Sequence, residues 1–556
     1  MKAETPYGAW PSPITSKLIT QSGVRMGSIS VSDAGALHWL EGRPQEAGRQ
    51  VVVRYAPGEE GTSSRGALDQ TPKETNVRTR VHEYGGGAYL LAPSSAGGGI
   101  IYSEFTSQRL FWTKAGTEAP MALTPDFPEG RYRFADGHLD PSSGSMVVVR
   151  EDHGPNGDAA PKDVVNEVVS LKLDGSGAMT LLATGRDFYA HPRLSADGGT
   201  LAYVTWDHPS MPWDSTELRV TSVRTAADTP DTSAHMLADG ADGDTSVLQP
   251  AWHPLSGALY WVSDASGFYQ IMRMPPLAAG ASSLTPPASV TAGEVDFGGK
   301  SPGWSLSEQG YAFLPDGTLV ASYPDRATGR SQLLLMDDDD DVAAAIASRR
   351  VLAQGDGLPY MFGSLTPAPD GTTMYMLGGA PDAPSGVYAW RGCGTPSGEP
   401  IAPAEMLACS SSADVDAGFV SVPEPVTFPS PLGASYGYYY PPANAECECT
   451  TEAAPPLLVK AHGGPTSCTS TGFNPSVQFW TSRGFAVLDV DYGGSTGYGK
   501  EYRRRLRKSW GIVDVDDVCA GAEYLVSKGL ADPKRLCIDG GSAGGFTTLG
   551  RSTPPP

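Results

Sequence analysis

The chain has 556 residues and a formal net charge of −22, from 40 Lys+Arg against 62 Asp+Glu. That balance excludes the dense cationic surface that nucleic acid or anionic lipid rewards, and a hydrophobic content of 40% excludes global disorder. The 67 glycines and 48 prolines follow no collagen-like period, so they read as many turns between many short strands.

No apolar run approaches the ~18 residues of a membrane span. The opening MKAETPYGAWPSP lacks the basic and apolar regions of a secretory signal. All seven cysteines, Cys393, Cys409, Cys447, Cys449, Cys468, Cys519 and Cys537, lie late in the chain. An odd number confined to one region argues against a disulfide framework and for a reducing compartment. The expectation is a soluble cytoplasmic protein with no nucleic-acid or membrane partner, no cofactor and no metal; oligomeric state is open.

After an N-terminal segment (1–20), residues 21–415 repeat a Gly-containing turn followed by an alternating or apolar strand. The turns centre on Gly35, Gly98, Gly144, Gly199, Gly257, Gly317 and Gly371. Their spacing of roughly 46 to 63 residues leaves room for about four short strands each, the mark of propeller blades. Further strands are visible in 48–55, 108–114, 166–173 and 330–337. Seven markers predict an all-β seven-bladed propeller.

From 416 to 556 the pattern changes. Segments 424–430 and 435–442 read as a β-hairpin, PLLVKA (456–461) as a buried strand, SVQFWTSRG (476–484) as a helix ending on Gly484, and FAVLDVDYG (485–493) as a strand. Val515, Val518, Cys519, Ala522, Leu525 and Val526 recur at helical spacing before Gly529, and RLCIDGG (535–541) is a third strand. Alternating strands and helices mean a parallel sheet. The chain therefore reads as a propeller followed by the start of an α/β domain.

The chemistry sits at the end of that third strand. Gly540-Gly541-Ser542-Ala543-Gly544 fits G-x-S-x-G in a strand–turn–helix setting, the nucleophile elbow. There the tight turn holds a serine hydroxyl above the sheet. Oxyanion donors in such a fold are the N–H after the nucleophile, here Ala543, and an N–H from a Gly-rich loop after an earlier strand. His462-Gly463-Gly464-Pro465 supplies that loop, with Gly463 and Gly464 as candidates. His462 reads as a loop-orienting residue, because the catalytic histidine of this fold follows the serine.

Other matches carry less. Gly494 to Lys500 fits the P-loop spacing, but Glu501 stands where magnesium needs Ser or Thr. His82-Glu83 begins a zinc-helix motif that Gly86 breaks. Cys447-x-Cys449 has no partner pair, and Asp337 to Asp341 lacks the alternation and terminal Glu of a calcium loop.

Together these segments resemble the prolyl oligopeptidase family of serine peptidases, most of all its acylaminoacyl-peptidase and dipeptidyl-aminopeptidase-like branch. The matching stretches are TPYGAWPSPIT, 76–89, 205–214, 462–467, 492–499, 510–518 and 540–545, in the family's order along the chain. The resemblance implies a seven-bladed propeller capping an α/β-hydrolase domain that is incomplete here at its C-terminus, an active site between them, and short peptides as substrates. It also implies a propeller carboxylate for a substrate amine, for which Glu83 and Glu167 are the candidates. The family's usual Arg is replaced by Gly493. The family's catalytic Asp and His follow the serine, whereas here none follows Ser542, and all nine histidines precede it. The expectation is a C-terminally truncated serine peptidase of doubtful activity; the alternatives are a non-catalytic propeller binding protein with a vestigial hydrolase stub, or an esterase.

Overall fold

Each of the seven glycine-marked turns closes the hairpin between the first and second strands of a four-stranded antiparallel sheet. The seven sheets follow one another at 25–69, 89–122, 132–183, 188–239, 247–289, 311–352 and 361–409, forming a seven-bladed propeller. The computed structural model describes residues 2–552 apart from 22, 118, 128–129, 141, 278–282, 299–302, 353–356, 394–401 and 412–414.

All four strands of a blade come from one continuous stretch, so no shared sheet closes the ring. Closure rests on apolar packing of Ile29, Trp39, Val51 and Val53 in blade 1 against Val387 and Ala408 in blade 7. Each fully buried Val or Leu at such a joint contributes about 1.5–3 kcal/mol. A bridge between Gly23 and Ser411 adds a backbone link.

Around the axis, hydrogen bonds join every adjacent pair of blades. Tyr89 Oη donates to the Ser28 carbonyl, Asp136 N–H to Gly87 O at 3.0 Å, and His191 N–H to the Asp136 carboxylate at 2.8 Å. Trp252 Nε1 donates to Arg193 O at 3.0 Å, Tyr311 Oη to Gln249 O at 2.6 Å, Phe362 N–H to Ser331 Oγ at 3.1 Å and Thr366 Oγ1 to Ile29 O at 3.4 Å.

In five blades the innermost strand carries a bulge at a residue of positive φ: Ser28, Asp136, His191, Gln249 and Ser364. Blades 2 and 6 pair without one. There the chain entering the blade reaches inward instead, and the two approaches meet: Gly86 bridges Leu306, whose N–H donates to Gly85 O at 3.0 Å. Blades 2 and 6 are not neighbours, so this contact straps the central opening. The glycines are required, because a Cβ on Gly86 would lie inside the Leu306 backbone and one on Gly87 within 2.8 Å of Asp136.

Glu308 belongs to this strap. Burial pushes its carboxyl up to about 7, against a smaller opposing pull from Ser305, and its Oε2 makes no hydrogen bond among the described residues. A carboxyl raised in the folded state leaves stability intact below the ordinary value of 4.5 and erodes it as pH rises to about 7. The loss above pH 7 is roughly 3 kcal/mol at 1.36 kcal/mol per unit. Glu308→Gln is expected to recover about that much at pH 8 and little at pH 4, measured by urea unfolding at both. Asp489, which burial and the nearby Asp491 also raise to about 7, adds a slope of the same sign. His38, His138 and His191, which burial lowers to about 4, add one of the opposite sign, so the comparison of the variant with the unmodified chain isolates Glu308.

The C-terminal α/β domain holds strands β1 (Glu424–Ser430), β2 (Gly433–Tyr440), β3 (Leu457–Ala461), β4 (Ala486–Asp491) and β5 (Leu536–Gly540). Its helices are α1 (Pro475–Thr481), α2 (Gly499–Arg504), α3 (Val513–Ser527) and α4 (Ala543–Ser552). The sheet order is β1-β2-β4-β3-β5, with β4, β3 and β5 parallel. Leu457, Val459, Leu488, Val490, Val518 and Leu525 form its core. The N-terminal residues bind here too: Ala3–Glu4 pairs in parallel with Cys447–Glu448, and Ser12 Oγ lies 2.7 Å from Ser482 Oγ.

Loops at the C-terminal ends of β3 and β4 dock onto the propeller. Thr471 Oγ1 donates to Gly329 O at 2.9 Å and Phe473 N–H to Ala380 O at 2.8 Å. After β4, Gly499 N–H donates to Asp296 at 3.0 Å and Lys500 N–H to Gly267 O at 2.8 Å. The Gly494 to Lys500 segment, with its P-loop-like spacing, is thus a docking loop. The Asp337 to Asp341 run also has a structural use, since Asp338 and Asp340 both bind Arg273. Among the described residues no helix is long and apolar enough to cross a membrane.

Candidate active site

Parallel strands leave their C-terminal ends on one edge of the sheet, which is where open α/β sheets bind ligands. In this domain that edge faces the propeller. Strand β5 ends there at Gly540, and two residues later Ser542 stands exposed with φ of 54°. A left-handed serine is strained. The helix α4 holds it there by starting at the next residue, with Gly544 N–H donating to Gly541 O at 2.9 Å and Gly545 N–H to Ser542 O at 3.0 Å.

The two outer glycines of the motif have one reason to be glycine. A Cβ on Gly540 would meet the Gly544 backbone and lie 2.9 Å from Ala461 O, and one on Gly544 would overlap the Ala461 carbonyl. The elbow is packed directly on the end of β3. Gly541 has nothing within 4 Å of its Cβ position. Gly544→Ala is therefore expected to cost about 1–3 kcal/mol of stability or more through overpacking against backbone, and Gly541→Ala under about 1 kcal/mol. Thermal unfolding of the pair checks this, and equal losses would contradict it.

Gly463, just beyond β3, lies beside the serine: its Cβ position is 3.4 Å from Ser542 Cβ and 4.0 Å from Ser542 Oγ. Gly464 faces its own loop, with Thr466 N at 2.7 Å from its Cβ position. Ala543 is buried, and as the first residue of α4 its N–H has no partner within the helix.

His462 serves the loop. Its Nε2 lies 2.7 Å from Ser495 Oγ and its Nδ1 2.7 Å from Gly463 O. Its ring stacks on Tyr492 at 4.3 Å and 14°. Tyr492 Oη donates to His462 O at 2.8 Å, tying the loop down from the other side. Burial lowers the pKa of His462 from its ordinary 6.5. Both ring nitrogens are engaged, so neither is free to take a proton from Ser542. Gly493, the departure from the family's Arg, donates its N–H to Asp517 at 2.6 Å and has Val513 Cγ1 2.8 Å from its Cβ position.

Glu83 and Glu167 both lie in the propeller. Glu83, at φ of 63°, is exposed and pairs with Arg133 Nη1 at 2.6 Å. Glu167 is buried and pairs with Arg150. Among the described residues no hydrogen bond or ion pair joins them to each other or to the elbow.

Sequence reasoning missed the basic helix α2. Arg503, 3% exposed, binds Asp264, 0% exposed, on blade 5. Lys500 Nζ reaches the same carboxylate at 3.4 Å, and Arg504 binds Asp244 at 2.6 Å. The signal was a run of cations, Arg503-Arg504-Arg505 with Arg507 and Lys508, in a strongly acidic chain.

The chain is similar to known proteins along its length. The profile described as the prolyl oligopeptidase family matches residues 471–553. A Mycobacterium tuberculosis puromycin-hydrolyzing peptidase structure is 33% identical, with a TM-score of 0.84 covering 99% of this chain and 78% of that one. Dipeptidyl peptidase family member 6 of Caenorhabditis elegans is 39% identical over 93 residues, 17% of this chain and 13% of its own length. Acylamino-acid-releasing enzyme 1 of Oryza sativa subsp. japonica is 38% identical over 96 residues, 17% of this chain and 12% of its own length.

Proposed function

The chain belongs to the prolyl oligopeptidase family of serine peptidases, and from that premise we propose that Ser542 is the nucleophile of an acyl-transfer site acting on short peptides. The observation that carries this reading is the elbow itself: a left-handed serine between β5 and α4, with Gly463 packed beside it.

In that role the Ser542 oxygen adds to the scissile carbonyl carbon as its proton passes to a base and then to the leaving amine, while the carbonyl oxygen takes the electron pair of the C=O π bond and with it the negative charge. The N–H groups of Ala543 and Gly463 supply the oxyanion donors; Gly464, turned into its own loop, is the weaker candidate. Donors aimed at the developing charge are worth about 10²–10³ in rate each. The facing propeller admits short peptides and excludes folded proteins. Glu83 or Glu167 would receive a free substrate amine, and the existing Arg133 and Arg150 pairs must then share or yield their carboxylates. The cell compartment we propose is the cytoplasm, from seven cysteines that form no disulfide among the described residues.

Among the described residues no histidine serves Ser542 as a general base, because His462 is engaged and the other eight histidines belong to the propeller. The test therefore uses a ligand that serine captures at equilibrium and without a leaving group, a dipeptidyl boronic acid, whose boron takes the Ser542 oxygen while the hydroxyl proton passes to solvent. The chain is expected to bind it more tightly than the matching dipeptide amide, and Ser542→Ala to lose that difference. Equal binding of the two, or a difference that the Ser542→Ala variant keeps, would sink the reading. The esterase alternative predicts the same adduct, and is separated from it by whether dipeptide amides bind at all.

A further inference from the structure

The strap across the propeller opening presents an aromatic surface. Tyr84, on the blade 2 side, is 61% exposed. Its ring stacks on Trp304, from the blade 6 side, at 5.0 Å and 26°. Trp304 in turn meets Trp213 edge-on at 5.5 Å and 84°.

Two observations put this surface on the side facing Ser542. Loops that dock onto the α/β domain connect the second and third strands of a blade, as at Asp264 and Gly267, or the last strand of one blade and the first of the next, as at Asp296. Both arms of the strap are connections of the latter kind, so they lie on the same face. Trp213 is itself part of the docking surface, its carbonyl accepting from Arg503 Nε at 3.3 Å.

The surface is held rigid. His82 N–H donates to the Glu151 carboxylate at 2.7 Å, and its ring sits edge-on to Phe188 and Trp206. Gly85 N–H donates to Val81 O at 2.9 Å on one side of Tyr84 and Glu83 N–H to Arg80 O at 2.8 Å on the other. An exposed ring on so constrained a backbone loses little entropy when a ligand covers it.

We propose that the Tyr84–Trp304 stack is the specificity platform of the substrate chamber, taking an aromatic side chain of a short peptide against its rings. This rests on the peptide reading above. A face covered by a second domain admits a short peptide and leaves no approach for a folded partner. Stacked and edge-on aromatic contacts favour a ring over an aliphatic group of similar area. Tyr84 and Trp304 touch no reacting atom in this account; they select and position.

The test is equilibrium binding by the whole 556-residue chain of three dipeptide amides: phenylalanyl-alanine, alanyl-phenylalanine and alanyl-alanine. The better of the two phenylalanine peptides is expected to bind about tenfold more tightly than the alanyl-alanine amide. Tyr84→Ala and Trp304→Ala should each remove most of that preference, lowering affinity for the phenylalanine peptide far more than for alanyl-alanine amide, and Trp304→Phe should retain it. Equal binding of all three peptides by the unmodified chain overturns the platform and leaves the peptide reading standing. So does a loss that Trp304→Phe shares or that falls on every peptide alike. Binding of none of the three overturns the peptide reading and the platform with it.

Discussion

Arg503→Met is expected to weaken the union of the two domains by about 3–5 kcal/mol, the usual cost of removing one partner of a buried ion pair. Asp264 is fully buried, and burial raises its pKa even with Arg503 and Lys500 beside it. Without the guanidinium, Lys500 at 3.4 Å is the cation left to it. Arg503 also lies 4.8 Å over the Tyr269 ring, so its loss opens a gap as well as a charge. Asp264→Leu should cost a similar amount by stranding Arg503. The double variant should cost much less than the two together, because replacing a whole buried pair with apolar groups is often close to neutral. Protease sensitivity of the 494–505 segment and urea unfolding of the three variants read this directly. Additive losses in the double variant would show that the pair does not hold the domains together.

The propeller was legible because its repeat is local. Each blade announces itself through one short hairpin turn, and turn chemistry at Gly35, Gly98 and their counterparts is written in a few adjacent residues. The elbow was legible for the same reason, its strand, glycines and serine being contiguous. What the sequence hid is non-local. The contact of Gly86 with Leu306 joins chain segments from opposite sides of the ring, and the Gly85-Gly86-Gly87 run signalled close backbone approach without naming the partner. The pairing of Ala3–Glu4 with Cys447–Glu448 is equally distant, so residues 2–14 read as a leading segment although they pack on the α/β domain. Helix α2 is six residues long and opens on a glycine, which turn signals obscure. Of the oxyanion candidates, the sequence could not separate Gly463 from Gly464; their different orientations around Ser542 emerge only from the path of the loop.

The largest expected effect concerns catalysis by these 556 residues. A serine hydroxyl is a weak nucleophile until a histidine takes its proton and returns it to the leaving amine. Loss of that histidine costs on the order of 10⁶ in kcat, or roughly 8 kcal/mol of barrier at 1.36 kcal/mol per decade. His462 cannot substitute, with Ser495 on one ring nitrogen and Gly463 on the other. The proposed donors at Ala543 and Gly463 would retain some ~10³–10⁴-fold over water, and only for a substrate already bound. The decisive measurement is the rate of chromogenic dipeptidyl and acyl-aminoacyl amide hydrolysis by the purified 556-residue chain beside its Ser542→Ala variant. The account predicts equal rates near the uncatalysed background, with an elbow that is built and a base that these residues do not supply. Amide turnover well above background that disappears in the Ser542→Ala variant would contradict it.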